Sequence, residues 1–600
     1  MPMFKFGSNT YLARALLAAA CAAGIALGAP ARAEKVVRYA MKVAETGFDP
    51  AQISDLYSAI IVAHLFDAPL TYDYLARPVK VKLNTAAALP EVSGDGRVWT
   101  IRIRPGIFFA DDPAFNGRRR ELTAGDYVYS LKRYWDPKNK SPNLYLVEKL
   151  LVGMSAIRDE ALKTGKFDYD REVEGVRALD RYTYRLKLTE PSPNMLHFLT
   201  YCNLMCAVAR EAVETYGDKI MEKPVGTNAY RLAQWKRSSR IVLERNRGYR
   251  EQVFDAEPGP DDPEAQAIAE RMRGKRLPLV DRVEVYVVEE AQPRWLAFLN
   301  GEHDVITEVP PEFVNIALPN GSLAPNLRKQ HILMHRTSQL DLAFVYFGME
   351  NAVVGGYEAE KVALRRAISL AYDVDESIRA IYRGQAIAAQ STVPPGALGF
   401  NRDLVGTLAE FSPAKAKALL DVYGYVDRDG DGYRENPNGS KLVLELATTP
   451  DSTGKQQDEL WRRFMDRVGL RIEFKKAKWP ELLRDARAGK LMMWGVGWSA
   501  AIPDADTFYV LLYGPSAGQS NMSRFNLPQW NALYEKAKVL SHGPDRDRLY
   551  LEMDKLMFAY APMRPIVHRI ETSLMHPWVV GYRRHPVLRE WWKFVDLENR

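Results

Sequence analysis

The sequence predicts an α/β protein built from several sheets, and three observations carry that expectation. Strand-like and helix-like segments alternate along the whole chain without a short repeat. Half-buried strands that alternate apolar and polar residues occur beside a continuous apolar run, Leu342 to Tyr346, so sheets with one and with two covered faces are both expected. With 600 residues the chain exceeds one ordinary domain, which predicts two or three lobes with separate cores.

The first segment stands apart from this pattern. Lys5 and Arg14 precede an Ala-, Leu- and Gly-rich run from Ala15 to Ala29, and Ala31-Arg32-Ala33 forms an A-x-A site before Glu34. This is a secretory signal peptide covering residues 1–33, with cleavage near Ala33/Glu34. A lipid anchor on Cys21 is the weaker reading, because Ala18-Ala19-Ala20 lacks the expected Leu. No later segment holds about 18 continuous apolar residues, so no other span is expected.

The elements then follow in order. Val36 to Ala40 is a strand that enters a loop from Val43 to Pro50. Trp99 to Arg104 alternates and stops at Pro105-Gly106, a strand and then a turn. Thr123 N-caps a helix beginning at Ala124. The stretch from Glu251 to Pro278 is rich in Pro, Gly and charge, which predicts a surface excursion. Val283 to Val288 is a strand, and Arg365 to Tyr372 is a helix expected to continue past Asp373. Ser412 and Pro413 open a helix as N-cap and first turn; Ala416, Leu419, Leu420 and Tyr423 form its apolar face, and Gly424 ends it. Leu442 to Leu446 is a further strand.

Composition removes several function classes. The chain is 47% hydrophobic and 26% charged, as soluble globular proteins are. Removing Lys5, Arg14 and Arg32 from a formal net charge of +7 leaves the exported chain mildly basic, with no basic block interleaved with aromatics, so nucleic acid is excluded as a partner. Cys202 and Cys206 remain after export. Their spacing allows either a disulfide or two buried thiols.

Three motifs invite chemistry. Asp427, Asp429, Asp431 and Gly432 match the front of an EF-hand loop, with Glu435 nearby. Position twelve is Asn438 rather than Glu, and the unit is helix–loop–strand, which favours a polar Asp/Gly turn over a weak calcium site. Gly497-Trp498-Ser499-Ala500-Ala501 approaches a nucleophile elbow, and Asp504, Asp506 and His568 follow in hydrolase order. Ala501 replaces the final Gly and Pro503 interrupts the required helix, so a secreted serine hydrolase using Ser499 is kept only as an alternative. His331 and His335 could share a face, but no carboxylate or thiol supports a metal at that spacing; two strand histidines near a surface are expected. No P-loop, dinucleotide fingerprint, HExxH or paired CxxC occurs, so no cofactor and no catalysis is expected.

Longer stretches are more specific. WTIRIRPGIFFADDPAFNGRRRELTAGDYVYSLKRYWDP, KPVGTNAYRLAQW with ERNRGYR, LNGEHDV, LRRAISLAYDVDESI, FSPAKAKALLDVYGY and MWGVGWSAAIPDADTF occur in that order across nearly the whole exported chain. Together they resemble the large solute-binding proteins of bacterial ABC importers, the oligopeptide/dipeptide/nickel-binding family 5. In that family a DGDG turn often follows the AkaLLaeaGy helix.

The resemblance implies a two-lobed, periplasmic-binding-protein-like II clamp, monomeric, located in the periplasm and serving a membrane permease. Lobe I would comprise residues 34–70, 203–336 and 567–600, an inserted domain residues 71–202, and lobe II residues 337–566. A peptide or peptide-like small solute would bind between the lobes. The usual free-peptide anchors are absent, however. The position that carries an amine-binding Asp is Ala501, that of a helping Arg is Gly495, that of a contact Tyr is Asn143, and that of an acidic residue is Ser54. Trp498 is therefore expected as a stacking wall, with Ser499, Ser54 and Asn143 as neutral polar contacts and Asp504 or Asp506 as substitute amine partners.

Overall fold

One strand, Met563–Met575, organises the architecture. The structure is a computed structural model that describes residues 1–2, 34–77, 79–500 and 502–598. The signal segment with Cys21 and its cleavage site, and Ala501, lie outside the described residues. The long strand sits inside the largest sheet. On one side of it the order is Asp341–Phe347, Met493–Ser499, Leu444–Thr448 and Ile472–Lys476; on the other it is Val305–Ile306, Val36–Met41, Arg282–Val287, Arg240–Arg245 and Tyr230–Lys236. Both halves mix parallel and antiparallel pairs, in agreement with the predicted fold class.

The long strand belongs to both halves. Its C-terminal part pairs antiparallel with Leu333–Ser338, from Leu333 opposite Met575 to Ser338 opposite Ile570. Its N-terminal part pairs antiparallel with Asp341–Phe347, ending with Tyr346 opposite Met563. Residues 333–347 and 563–575 thus run side by side from one half of the sheet into the other. Between them the Gln339 N–H donates to the Arg569 carbonyl at 3.0 Å. Arg569 Nε donates to Asp341 Oδ2 at 2.7 Å, and His568 Nδ1 lies 2.8 Å from the Asp341 carbonyl.

The elements form for local reasons largely visible in the sequence. Thr123 caps the helix Ala124–Lys132, its own N–H donating to the Asp126 carboxylate at 2.7 Å. Ser412 caps Pro413–Val422 by accepting from the Lys415 N–H, and Gly424 leaves the helix at φ +80°, a conformation that favours glycine. The apolar run Asp341–Phe347 is buried almost throughout, and burial of Leu342, Val345 and Phe347 contributes roughly 1.5–3 kcal/mol each. The helices Ala359–Ala371, Pro413–Val422 and Ser452–Asp466 pack Leu364, Ile368, Leu420 and Phe464 into the core of that half. A separate four-stranded antiparallel sheet, with Val98–Arg102 and Thr183–Lys187 at its centre, is built from residues 91–187.

Three expectations are corrected. The helix through Arg365 does not continue past Asp373; it ends at Ala371, Tyr372 is extended, and Asp373 caps a new turn by accepting from the Glu376 N–H at 2.8 Å. The stretch from 251 to 278 is not only an excursion, since Asp262 caps the helix Pro263–Met272, which buries Ala265, Ala269 and Met272. His331 lies in a left-handed turn rather than a strand, while His335 lies in Leu333–Ser338, 2.9 Å from a Glu264 carboxylate oxygen. The pair therefore shares no strand face. Of the two alternatives for Cys202 and Cys206, the structure has the disulfide.

Buried ion pairs brace the fold. Arg133 holds Asp49 through two hydrogen bonds of 2.7 Å, and Arg546 holds Asp504 through two of 2.8 Å. Asp49 stays charged although burial opposes it, because Arg133 more than offsets the loss of water. Replacing Arg133 with Ala strands the Asp49 charge and should cost roughly 3–5 kcal/mol, whereas Asp49→Leu with Arg133→Met should cost less, as urea melts will show.

Asp554 lacks such a partner. Burial pushes its carboxyl up to about 7, opposed by the hydrogen bond from the Tyr509 hydroxyl. An acid whose folded pKa lies above its unfolded one loses stability on ionising. Its contribution is therefore full below the ordinary Asp range, near 4, and is lost as pH rises to about 7. Asp554→Asn should flatten that part of the stability–pH curve and, at pH 8, raise the unfolding free energy above that of the wild type by an amount on the order of a few kcal/mol, seen as a higher melting temperature.

Candidate functional site

A cavity of about 340 Å³ opens where the two halves of the main sheet face one another. One wall is the strand Met493–Ser499 with the tip of Leu444–Thr448; the other is residues 54–57 with 142–145. Gly495 and Gly497 present bare backbone on the first wall, which keeps it open. A Cβ on Gly497 would meet Arg569 Nη2 at 2.9 Å, so glycine there lets the Arg569 guanidinium lie across the strand.

Five residues singled out from the sequence line this cavity: Ser54, Asn143, Gly495, Trp498 and Ser499. Trp498 is fixed by its indole N–H, which donates to the Thr507 carbonyl at 2.9 Å, so its ring is held on the wall. Asn143 is buried, and its amide donates to the Ile53 carbonyl at 2.8 Å and the Asn203 carbonyl at 3.2 Å. That use leaves its side-chain oxygen as the group with free capacity. The Ser54 hydroxyl accepts from Arg487 Nη2.

The two aspartates lie elsewhere. Asp504 is committed to Arg546 and does not line the cavity. Asp506 is buried against a smaller neighbouring cavity, and burial together with Asp504 pushes its carboxyl up to about 6. Neither is placed for an amine held in the main cavity, because folding uses one in an ion pair and hides the other. Ala501 lies outside the described residues.

Sequence reasoning missed most of the charged and aromatic lining. Lys42, Tyr57, Arg294, Trp479, Arg569 and Arg589 come from distant segments, and no local motif marks them. Lys42 pairs with Glu308 and Arg569 with Asp341. Arg294 Nη1 donates to the carbonyls of Val288 and Glu289. The acids at the cavity are largely used: Asp55 and Asp451 each cap a helix, accepting at 2.7 Å from the N–H of Ser58 and of Gly454. A second cavity of about 110 Å³ adjoins the first through Lys42, Tyr57, Arg294, Ser499 and Arg569.

The structure assembles no hydrolytic triad. Asp504 binds Arg546, His568 Nδ1 faces the Asp341 carbonyl, and no hydrogen bond joins Ser499 to His568 among the described residues. Burial also holds the His568 imidazole below its ordinary pKa. The carboxylates of Asp427, Asp429, Asp431 and Glu435 gather within 4.8 Å of one another. They accept from the loop's own N–H groups, Asp427 from Gly430 and Gly432 and Glu435 from Arg428, and Asp431 pairs with Arg471, as a polar turn requires. Among the described residues no helix is long and apolar enough to cross a membrane.

The chain is similar over nearly its full length to several known proteins. It is 25% identical to the heme-binding protein A of Haemophilus influenzae over 91% of this chain and 90% of that one. It is 22% identical to the dipeptide-binding protein of Escherichia coli over 89% and 92%. Its fold matches the ABC transporter-associated periplasmic binding protein DppA of Helicobacter pylori, solved with the peptide STSA, with a TM-score of 0.75 and 23% identity over 94% of this chain and 99% of that one. The architecture is thus the two-lobed periplasmic-binding-protein type II fold. Residues 80–520 match the model of "Bacterial extracellular solute-binding proteins, family 5 Middle", and the chain belongs to the family 5 extracellular solute-binding proteins.

Proposed function

We propose that this protein is the periplasmic solute-binding subunit of an ABC importer, exported by cleavage near Ala33, that captures a peptide or peptide-like small solute and delivers it unchanged to a membrane permease. The observation that carries this reading is the interlobe cavity with its Trp498 wall. About 340 Å³ lies at the low end of the ~300–1,000 Å³ typical of small-molecule sites, which suits a short solute better than a long peptide. Relatives named for binding dipeptides support the peptide-like class.

Contacts across the gap fit a clamp in its closed form. Arg487 reaches Ser54, the Tyr145 N–H donates to Gln519 at 2.7 Å, and Lys538 pairs with Glu190 at 2.9 Å. A solute that touches both walls would favour this arrangement over an open one. In the domain division we propose, residues 71–202 form the inserted domain and residues 337–566 lobe II. The protein works as a monomer and performs no chemistry, since Ser499 lacks an activating base.

Mass spectrometry of small molecules released from the purified protein should find one dominant peptide-like compound. Trp498→Ala should weaken its binding by roughly 2 kcal/mol, about 30-fold, in calorimetry, with Trp498→Phe weakening it less. Unchanged affinity in Trp498→Ala would remove Trp498 from the site.

A further inference from the structure

The cavity wall formed by residues 54–57 and 142–145 rests on a short turn. Tyr201 lines the cavity, and the single-turn helix Cys202–Met205 follows it directly. The Tyr201 carbonyl accepts from the N–H groups of Leu204 at 3.0 Å and Met205 at 2.9 Å, so the turn fixes the backbone that carries the Tyr201 ring. The buried Asn203 offers its carbonyl to the Asn143 amide at 3.2 Å and to the Tyr134 hydroxyl at 2.7 Å. The Asn143 amide also donates to the Ile53 carbonyl, next to Ser54, and so ties together the segments at 53, 143 and 203. The same stretch crosses the gap, where the Tyr145 N–H donates to Gln519.

A single turn of helix does not hold itself, because too few hydrogen bonds offset the ordering of its backbone. This one has no side-chain cap at Tyr201. The Cys202–Cys206 disulfide closes the same turn covalently, across the Cys206 N–H that donates to the Cys202 carbonyl. Cys202 is half-buried, and its Sγ lies 3.9 Å from the carbonyl oxygens of Val62 and Phe66. Those carbonyls end the helix Leu56–Leu65, whose first residues, Leu56 and Tyr57, line the cavity. The stapled turn therefore touches one element of the wall through sulfur and another through Asn203. With Cys21 in the signal segment, the exported chain holds no other cysteine, so a thiol reductant acts on this bond alone.

From this arrangement we propose that Cys202 and Cys206 are positioning residues of the solute site: their disulfide holds Tyr201 and Asn143 on the cavity wall, and solute affinity depends on the bond's being intact. This rests on the reading of the cavity as the solute site and adds the element that holds its wall. Dithiothreitol opens the bond by giving it two electrons and two protons; the S–S bond breaks, two thiols form, and the reagent closes into a cyclic disulfide. Without the staple the turn frays, the Asn203 carbonyl leaves the Asn143 amide, and the stretch 142–145 loosens.

The test compares the purified, solute-stripped protein before and after dithiothreitol, together with Cys202→Ser/Cys206→Ser, and uses circular dichroism to follow the fold. Hydrogen–deuterium exchange, which needs no solute, should speed up about tenfold or more at residues 141–146 and 201–206 and stay unchanged in the strand Met563–Met575. Native mass spectrometry with a pool of short peptides from a protein digest should show binding weakened about tenfold on reduction. In Asn143→Ala, where the contact to Asn203 is already gone, reduction should change binding far less; a bond that served only general stability would act equally in both backgrounds. Reduction of the wild type carries the test even if a variant does not fold. Unchanged exchange and binding after reduction, an equal loss in Asn143→Ala, or unfolding of the whole protein would overturn the proposal and leave the peptide-like reading standing. If the oxidised wild type binds no peptide, that reading fails instead, and the exchange comparison alone decides whether the disulfide holds the wall.

Discussion

The structure depends on a pair of antiparallel segments, 333–347 and 563–575, that belong to both halves of one sheet. Their backbone ladder makes each lobe continuous with the other. Asp341 and Arg569 lock the junction, with the Arg569 backbone N–H and side chain both donating to the Asp341 carboxylate. Asp341 is almost wholly buried, so the charge-assisted bonds there are shielded from water and hold a defined geometry. A hinge of this kind bends by small backbone changes at the junction while the lobes move as bodies. Arg569 also lines the cavity, which places a residue of this junction at the proposed solute site.

Local signals in the sequence were sufficient for much of the fold. The buried strand around Phe344, the Thr123 and Ser412 caps and the stop at Gly424 each depend on neighbours within a few residues, where periodicity and turn chemistry act. The misread elements are those that tertiary packing decided. The buried Arg564 guanidinium donates to the Ser369 and Tyr372 carbonyls at the end of the helix Ala359–Ala371. The charged stretch from 251 to 278 still makes a helix, because Ala265, Ala269 and Met272 find a core to cover.

The site was legible only in part, for a related reason. Motif-based reasoning reached the strand Met493–Ser499 and the turns near Ser54 and Asn143. It could not find Arg294 or Arg589, since both reach the cavity from distant segments that carry no local motif. Asp504 illustrates the reverse case: next to a cleft strand in sequence, it is taken by Arg546, 42 residues downstream. Glycine links the two scales, because the missing side chain at Gly497 is what admits the hinge arginine to the wall.

Small-angle X-ray scattering on the protein with its solute and after stripping tests the central claim most directly. If the strand pair is a working hinge, the loaded protein has the smaller radius of gyration and its scattering fits the closed structure, while the stripped protein expands. Identical scattering from the two forms, with solute binding shown in the same samples, would contradict it.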